Sequence, residues 1–283
     1  INMIMQAVFF KLANVIPVED AVRYLKDSIE KAYGKKGSKI VEMNKQAVDE
    51  GLAKVIKVNI PASWANAEDP EDAQVKDVPD FIKKIHRPIM RYEGDELPTS
   101  TFVGMEDGRA PLGTSAYEKR GIAVFLPQWQ MDKCIQCNQC SYICPHATIR
   151  PFLLTDEEKT KAPDTFETIK AIGKGLKDYH YRIQVSPLDC TGCMNCADIC
   201  PAPGKALVMQ PAAQEIEKEA ENWEYAMTIT PKEDLVDRYT LKGSQFVRPL
   251  LEFNGACPGC GETPYVRLLT QLFGDRMMIA NAT

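Results

Sequence analysis

The sequence predicts a multidomain chain that mixes α/β and α+β folds, and three observations predict it. Apolar residues recur at helical spacing through residues 1–60, prolines punctuate residues 61–127, and one cysteine pattern occurs twice within residues 128–210. With 283 residues there is room for one large or two to three small domains. Hydrophobic residues make up 45% and charged residues 26%, an ordinary globular balance. A net charge of −5, from 34 basic and 39 acidic residues, leaves no basic footprint for nucleic acid. No stretch approaches the roughly 20 apolar residues of a membrane helix.

Residues 1–10 are apolar, are closed by Lys11 and lack a basic leader, so they read as a core helix that has lost its beginning, not as a signal peptide. The chain starts in mid-pattern without a methionine and reads as a piece of something longer. Val18, Val22, Leu25, Ile29 and Tyr33 recur at spacings of three and four, behind Pro17 and before Gly34, which predicts a helix. Ser38 is the expected cap of a second helix that carries Val41, Ala47 and Val48 and stops near Gly51. The alternation Val55-Ile56-Lys57-Val58-Asn59-Ile60 predicts a strand or an extended exit. Prolines at 61, 70, 79, 88, 98, 111 and 127, with the acidic turn Glu68-Asp69-Pro70-Glu71-Asp72, predict a segment that wraps over neighbouring surfaces without a thick core of its own.

The repeated pattern is C-x2-C-x2-C-x3-C-P. Cys134, Cys137, Cys140 and Cys144 precede Pro145, and Cys190, Cys193, Cys196 and Cys200 precede Pro201. This is the bacterial ferredoxin spacing for a cubane [4Fe–4S] cluster, with the fourth cysteine ligating the other cluster. Cys134, Cys137, Cys140 and Cys200 are therefore assigned to a first cluster, and Cys190, Cys193, Cys196 and Cys144 to a second. Zinc ribbons use two cysteine pairs, which this spacing does not match. A secreted disulfide scaffold belongs to a much shorter chain, so the ten cysteines point to a reducing, low-oxygen compartment. Ile183-Gln184-Val185 and Ala206-Leu207-Val208 suit short strands flanking the clusters, in a ferredoxin-like α+β repeat. Residues 155–177, with Lys and Glu at helical spacing, are an insertion expected on the surface, as a solvated helix or a docking face for a redox partner.

Residues 211–245 are charged and helix-prone, and the chain turns apolar from Phe246, where a new unit is expected. That unit opens on Gly255-Ala256-Cys257-Pro258-Gly259-Cys260-Gly261-Glu262. Cys257 and Cys260 alone suit half a zinc knuckle, a redox pair or half a cluster site, and no further cysteines remain here to complete four ligands. Glu262 alone would read as a helix cap before Thr263-Pro264. His146, His86 and His180 read as structural, Trp64, Trp129 and Trp223 as packing residues, and Lys133 as exposed or cluster-tuning.

Four signatures in order resemble one family, the pyruvate:ferredoxin oxidoreductases. The run from Phe253 to Tyr265, with Leu272-Phe273-Gly274-Asp275-Arg276 and Ile279-Ala280-Asn281-Ala282-Thr283, is similar to the entry to that family's thiamine-diphosphate domain. Glu118-Lys119-Arg120-Gly121-Ile122-Ala123 resembles its small linking domain. Asn2-Met3-Ile4-Met5-Gln6-Ala7-Val8-Phe9-Phe10 resembles the end of its coenzyme A-binding domain, and the ferredoxin motifs lie between.

The resemblance implies a central fragment of a large enzyme. Residues 1–70 would close an α/β coenzyme A-binding domain, 71–127 form the linking domain, 128–215 hold two [4Fe–4S] clusters, and 216–283 begin an α/β thiamine-diphosphate domain. It implies that Cys257 and Cys260 hold a third [4Fe–4S] cluster with ligands beyond this chain, that Glu262 contacts thiamine diphosphate, and that Asn2 and Asn44 contact coenzyme A. Ligands for Mg2+ and the pyruvate site would lie elsewhere. The implied activity is oxidative decarboxylation of pyruvate to acetyl-CoA and CO2, with ferredoxin or flavodoxin as partner, in a cytoplasmic homodimer or an organelle. The alternatives are a polyferredoxin-like electron-transfer module, an oxidoreductase for another 2-oxoacid, or the same chemistry run in reverse.

Overall fold

The structure, a computed structural model, describes residues 1–66 and 78–280, which fall into two compact units. The acidic turn at 68–72, the boundary at 70/71 and the tail 281–283 lie outside the described residues.

In the first unit the described residues form helices α1 (Asn2–Ala13), α2 (Val18–Tyr33) and α3 (Ser38–Lys54), and no strand. Helix α2 starts behind Pro17 with Glu19 and Asp20 in its first turn, where they complement the helix dipole. Its Leu25 and Ile29 meet Ala7, Val41 and Val48 in one core. The cap of α3 is Gly37, at φ 100°, and the Ser38 side chain makes no capping bond, so the expected cap sits one residue too late. Only glycine takes that left-handed backbone without strain. Nor does the helix stop at Gly51. A Cβ there would stand 3.1 Å from Ile4 Cγ2, so this glycine lets α1 and α3 approach closely instead of ending a helix. The 55–60 run forms no strand, and Ile56, Val58 and Ile60 leave α3 exposed.

The second unit opens with short turns around Ile82–His86, helix α4 (Arg87–Met90), Thr99–Phe102 and Thr114–Tyr117, and buries little beyond Ile82 and Ile85 before Ala123. This is the thin wrapping expected of a proline-rich stretch.

Two antiparallel sheets follow. Strand β1 (Phe125–Trp129) pairs with β5 (Leu207–Pro211), Trp129 opposite Leu207, which zips the two ends of the cysteine region together. Strands β2 (Ile149–Leu154), β3 (Ile169–Lys170) and β4 (His180–Val185) lie in the order β2-β4-β3. Short helices α5 (Gln139–Ile143) and α7 (Asn195–Ile199) each follow a cysteine loop.

The expectation that residues 155–177 lie on the surface is corrected. Only α6 (Asp156–Thr160), held by a Thr155/Glu158 capping box, is a solvated helix. The rest supplies β3 and buries Phe166 and Leu176 in the core. Helix α8 (Ala212–Ala226) packs on β4 and turns Glu215 and Glu219 inward, where Gln128 donates to Glu215 at 2.8 Å and Gln184 to Glu219 at 2.6 Å. Buried carboxylates require such partners.

Helix α9 (Leu241–Ser244) leads to Phe246, which shares a core with Ile149, Tyr181 and Leu207. The divisions expected at 127/128 and 215/216, and the new unit expected at Phe246, all fall inside this one compact unit. The described residues end beyond α10 (Thr263–Phe273), and no helix among them is long and apolar enough to cross a membrane.

Candidate metal centres

Both cysteine loops bend the same way. Gln136 and Asn138 flank Cys137 with φ of 56° and 63°, and Gly192 and Met194 flank Cys193 with φ of 67° and 70°. Left-handed residues on both sides of the middle cysteine curl the loop so that successive side chains converge. Three of these four are not glycine, so the turn has to be held from outside. Gln136 donates to Lys170 O at 2.8 Å and accepts from Ile172 N at 2.8 Å. Asn138 accepts from Tyr181 Oη at 2.6 Å and donates to Lys242 O at 2.9 Å. The insertion and the α9 region thus brace the first loop. In the second loop a Cβ at Gly192 would lie 3.1 Å from Phe125 O, so glycine is required for space as well as for φ.

Two cavities result. One is lined by Cys134, Cys137, Cys140 and Cys200, with Trp129 and Tyr181 on its wall. The other is lined by Cys144, Cys190, Cys193 and Cys196, with His146 and Ile149. Each cavity therefore takes three thiols from one loop and the fourth from the other repeat. Among the described residues, no three His, Cys, Asp or Glu side chains close on a point that would hold a single metal ion. The thiols stand around a volume instead, which suits a polynuclear cluster.

Electrostatics agree with this fit. Burial pushes the Cys134, Cys140 and Cys196 thiols up, and Cys190 up to about 12. The neighbouring thiols of the same cavity push further: Cys134, Cys137 and Cys200 on Cys140, and Cys144, Cys190 and Cys193 on Cys196. Four thiolates in such a place need a compact positive group among them. Backbone donors already point at sulfur, Gly192 N at 3.4 Å from Cys190 Sγ and Ala206 N at 3.3 Å from Cys200 Sγ.

The Cys257–Cys260 pair is built differently. Cys257 is exposed and Cys260 half-buried, in a tight turn where Cys260 N donates to Cys257 O at 3.0 Å. Backbone N–H groups of Thr263 and Glu262, at the start of α10, pull the Cys260 thiol below its usual range. Glu262 is exposed at the N-cap of α10 and its side chain makes no capping bond, so the helix-cap role is not the one this carboxylate performs.

This turn lies against the second cavity. A Cβ at Gly259 would stand 3.7 Å from Cys193 Cβ. The preceding loop is stitched to the residues just after Cys144. Phe253 N donates to His146 O at 2.9 Å, Asn254 Nδ2 donates to Pro145 O at 2.8 Å, and His146 Nδ1 donates to Asn254 O at 3.0 Å.

Asn2 opens α1 and is exposed; Asn44 lies on α3, with Nδ2 donating to Ile40 O at 2.8 Å. Sequence reasoning missed Asn254, Gln136 and Asn138 as supports, and it missed Arg267, a fully buried cation on α10. The one available signal for Arg267 was a charge placed on the inward stripe Pro264, Arg267, Thr270 and Gln271.

Known proteins carry the same arrangement of parts. A family model described as pyruvate ferredoxin/flavodoxin oxidoreductase matches residues 1–54. A 4Fe-4S dicluster domain matches residues 133–203, and a domain of unknown function matches residues 67–123. Over its whole length the chain is 59% identical to a pyruvate-flavodoxin oxidoreductase of Enterobacter agglomerans and 58% identical to a pyruvate:ferredoxin oxidoreductase of Moorella thermoacetica, covering 24% of each. It is 52% identical to a mitochondrial pyruvate dehydrogenase [NADP(+)] of Euglena gracilis, covering all of this chain and 16% of that protein. The chain thus spans about a quarter or less of the length of these relatives. From end to end it is similar to pyruvate-flavodoxin and pyruvate:ferredoxin oxidoreductases, as a part of such a chain.

Proposed function

We propose that this chain is the electron-carrying centre of an enzyme that oxidatively decarboxylates pyruvate with coenzyme A to acetyl-CoA and CO2. The observation that carries the reading is the pair of four-cysteine cavities, joined by hydrogen bonds to a third cysteine pair, in a chain similar throughout to pyruvate oxidoreductases. Cys134, Cys137, Cys140 and Cys200 hold one [4Fe–4S] cluster, and Cys144, Cys190, Cys193 and Cys196 hold the second. Cys257 and Cys260 supply two ligands of a third, completed by residues outside this sequence. The clusters supply one-electron transfer at potentials set by charge, sulfur hydrogen bonds and exposure.

The fold buries Cys144, Cys190, Cys196 and Cys200, while the Asn254 and His146 bonds fix the third pair beside the second cavity. Electrons leave towards ferredoxin or flavodoxin. Thiamine diphosphate supplies the electron sink for decarboxylation when bound, and Glu262, exposed and uncommitted at the start of α10, is the residue of this chain that would meet it. Asn2 and Asn44 would meet coenzyme A. The four segments at 1–70, 71–127, 128–215 and 216–283 then correspond to parts of four functional domains in a homodimeric parent.

The test is anaerobic absorbance of the full-length parent protein mixed with pyruvate, with and without coenzyme A. Bleaching of the cluster band, accelerated by coenzyme A, is the expected result. Clusters that stay oxidised until another reductase is added would overturn the reading in favour of an electron-transfer module.

A further inference from the structure

Three buried cations and one half-buried one lie around the cysteine region, and their pairing is unequal. Arg182 lies near Glu219, at 3.4 Å, and stacks over Phe166 at 4.5 Å. Lys242, beside the first cavity, donates to Ile172 O at 2.6 Å at the exposed edge of the fold. Arg150 bonds Glu252 and donates to Ala147 O at 2.7 Å. Arg267 is 1% exposed and has no carboxylate partner among the described residues. Its Nη1 donates to Gln245 Oε1 at 2.9 Å and its Nη2 to Tyr142 O at 2.6 Å, while Nε is buried with no acceptor.

A guanidinium needs negative charge when taken out of water, and neutral carbonyls do not supply it. Burial lowers its pKa only to about 10, so it remains charged at neutral pH. The groups able to carry charge that act on it are Cys144, two residues beyond the carbonyl that Arg267 grips, the like-charged Arg150, and Tyr142. Glu252 pairs with Arg150 and not with Arg267. One fully buried positive charge without a carboxylate is left here, whereas Lys242, the cation beside the first cavity, sits at the exposed edge of the fold.

We propose that Arg267 is the counter-charge of the cluster held by Cys144, Cys190, Cys193 and Cys196, and that it raises this cluster's reduction potential. The inference rests on reading the second cavity as a cluster site. The added electron places one more negative charge in a dry, low-dielectric region, and a fixed guanidinium there favours the reduced state. The turn that leads into α10 therefore carries the thiol pair of the third site, and one turn into the helix Arg267 supplies the charge that makes the second site a better electron acceptor.

The experiment is a reductive titration of the full-length parent protein with dithionite, followed by electron paramagnetic resonance, so it does not depend on pyruvate. Arg267→Gln should shift one cluster step to more negative potential and leave the others in place, and Arg267→Lys should restore most of the shift. Glu252→Gln, which frees the charge of Arg150, should move the same step the opposite way. If Arg267→Gln fails to assemble, the Glu252→Gln arm decides alone. Unmoved steps, a lysine variant as displaced as the glutamine variant, or a downward shift in Glu252→Gln would overturn the proposal. Parental protein with no second cluster signal would instead defeat the cluster reading on which it stands.

Discussion

The two inner cavities and the Cys257–Cys260 turn use the same side chain in opposite states. In the cavities, burial pushes the Cys134, Cys140 and Cys196 thiols up, and Cys190 up to about 12. At the turn, the amides opening α10 pull Cys260 the other way. The difference follows from completeness. A site closed by four thiols of one fold can bury them, because no ligand has to arrive from elsewhere to complete the set. A half-site must keep its sulfurs accessible and ready for ligands supplied from elsewhere, and a helix N-terminus provides the anion stabilisation meanwhile.

The hardest blow to this contrast is Cys200→Ala. It should remove the first cluster entirely, seen as iron and sulfide per chain falling by at least one cluster, whereas Cys257→Ser should leave the content of the inner pair unchanged. Undiminished iron in Cys200→Ala would take Cys200 out of the first site. Next comes alkaline stability of the metal-free protein. Thiols with folded pKa values above the ordinary 9 bind more protons folded than unfolded, so stability declines as pH rises from near 9 towards about 12. The slope should be roughly 1.4 kcal/mol per pH unit for each such thiol. A urea midpoint that is flat or rising over that window would contradict the assigned burial.

A finer test is the order of alkylation by iodoacetamide near neutral pH. Cys260 should react first, and Cys140, Cys190 and Cys196 only once the fold is opened. Early modification of Cys190 would reverse the comparison. The smallest effect concerns the seam between the two kinds of site. Asn254→Ala removes the bonds to Pro145 O and from Ala256 N, at 2.8 and 3.1 Å, and should cost about 1 kcal/mol, read as faster amide exchange at Phe253 and Ala256. Unchanged exchange would mean the loop is held by other means.

Much of this was legible in the sequence because it was local. The helix Val18–Tyr33 announced itself by period and by its flanking Pro17 and Gly34, and the motif spacing grouped the same cysteines that line each cavity. What escaped was decided by contacts distant along the chain. Gly51 looks like a terminator until Ile4 is seen against it. Phe166 and Leu176 sit among surface-type residues and reach the core only because β3 docks on β4. Ser38 has the right chemistry for a cap, and loses the position to Gly37 because the preceding turn needs a left-handed residue. Gln136, Asn138 and Arg267 are polar residues whose partners lie in other segments, so no periodicity or motif marks them.

The exchange of fourth cysteines between the cavities also has a consequence for how the protein is made. A nascent chain that has emerged only as far as Cys144 offers three thiols to the first cavity and a stray fourth to a second that does not yet exist. The second ligand set is whole only once Cys196 has left the ribosome, and the first only once Cys200 has and β5 can close on β1. Neither cavity can be filled from the first repeat alone, so a fold that exchanges its fourth cysteines commits both places only when nearly all of the second repeat is present.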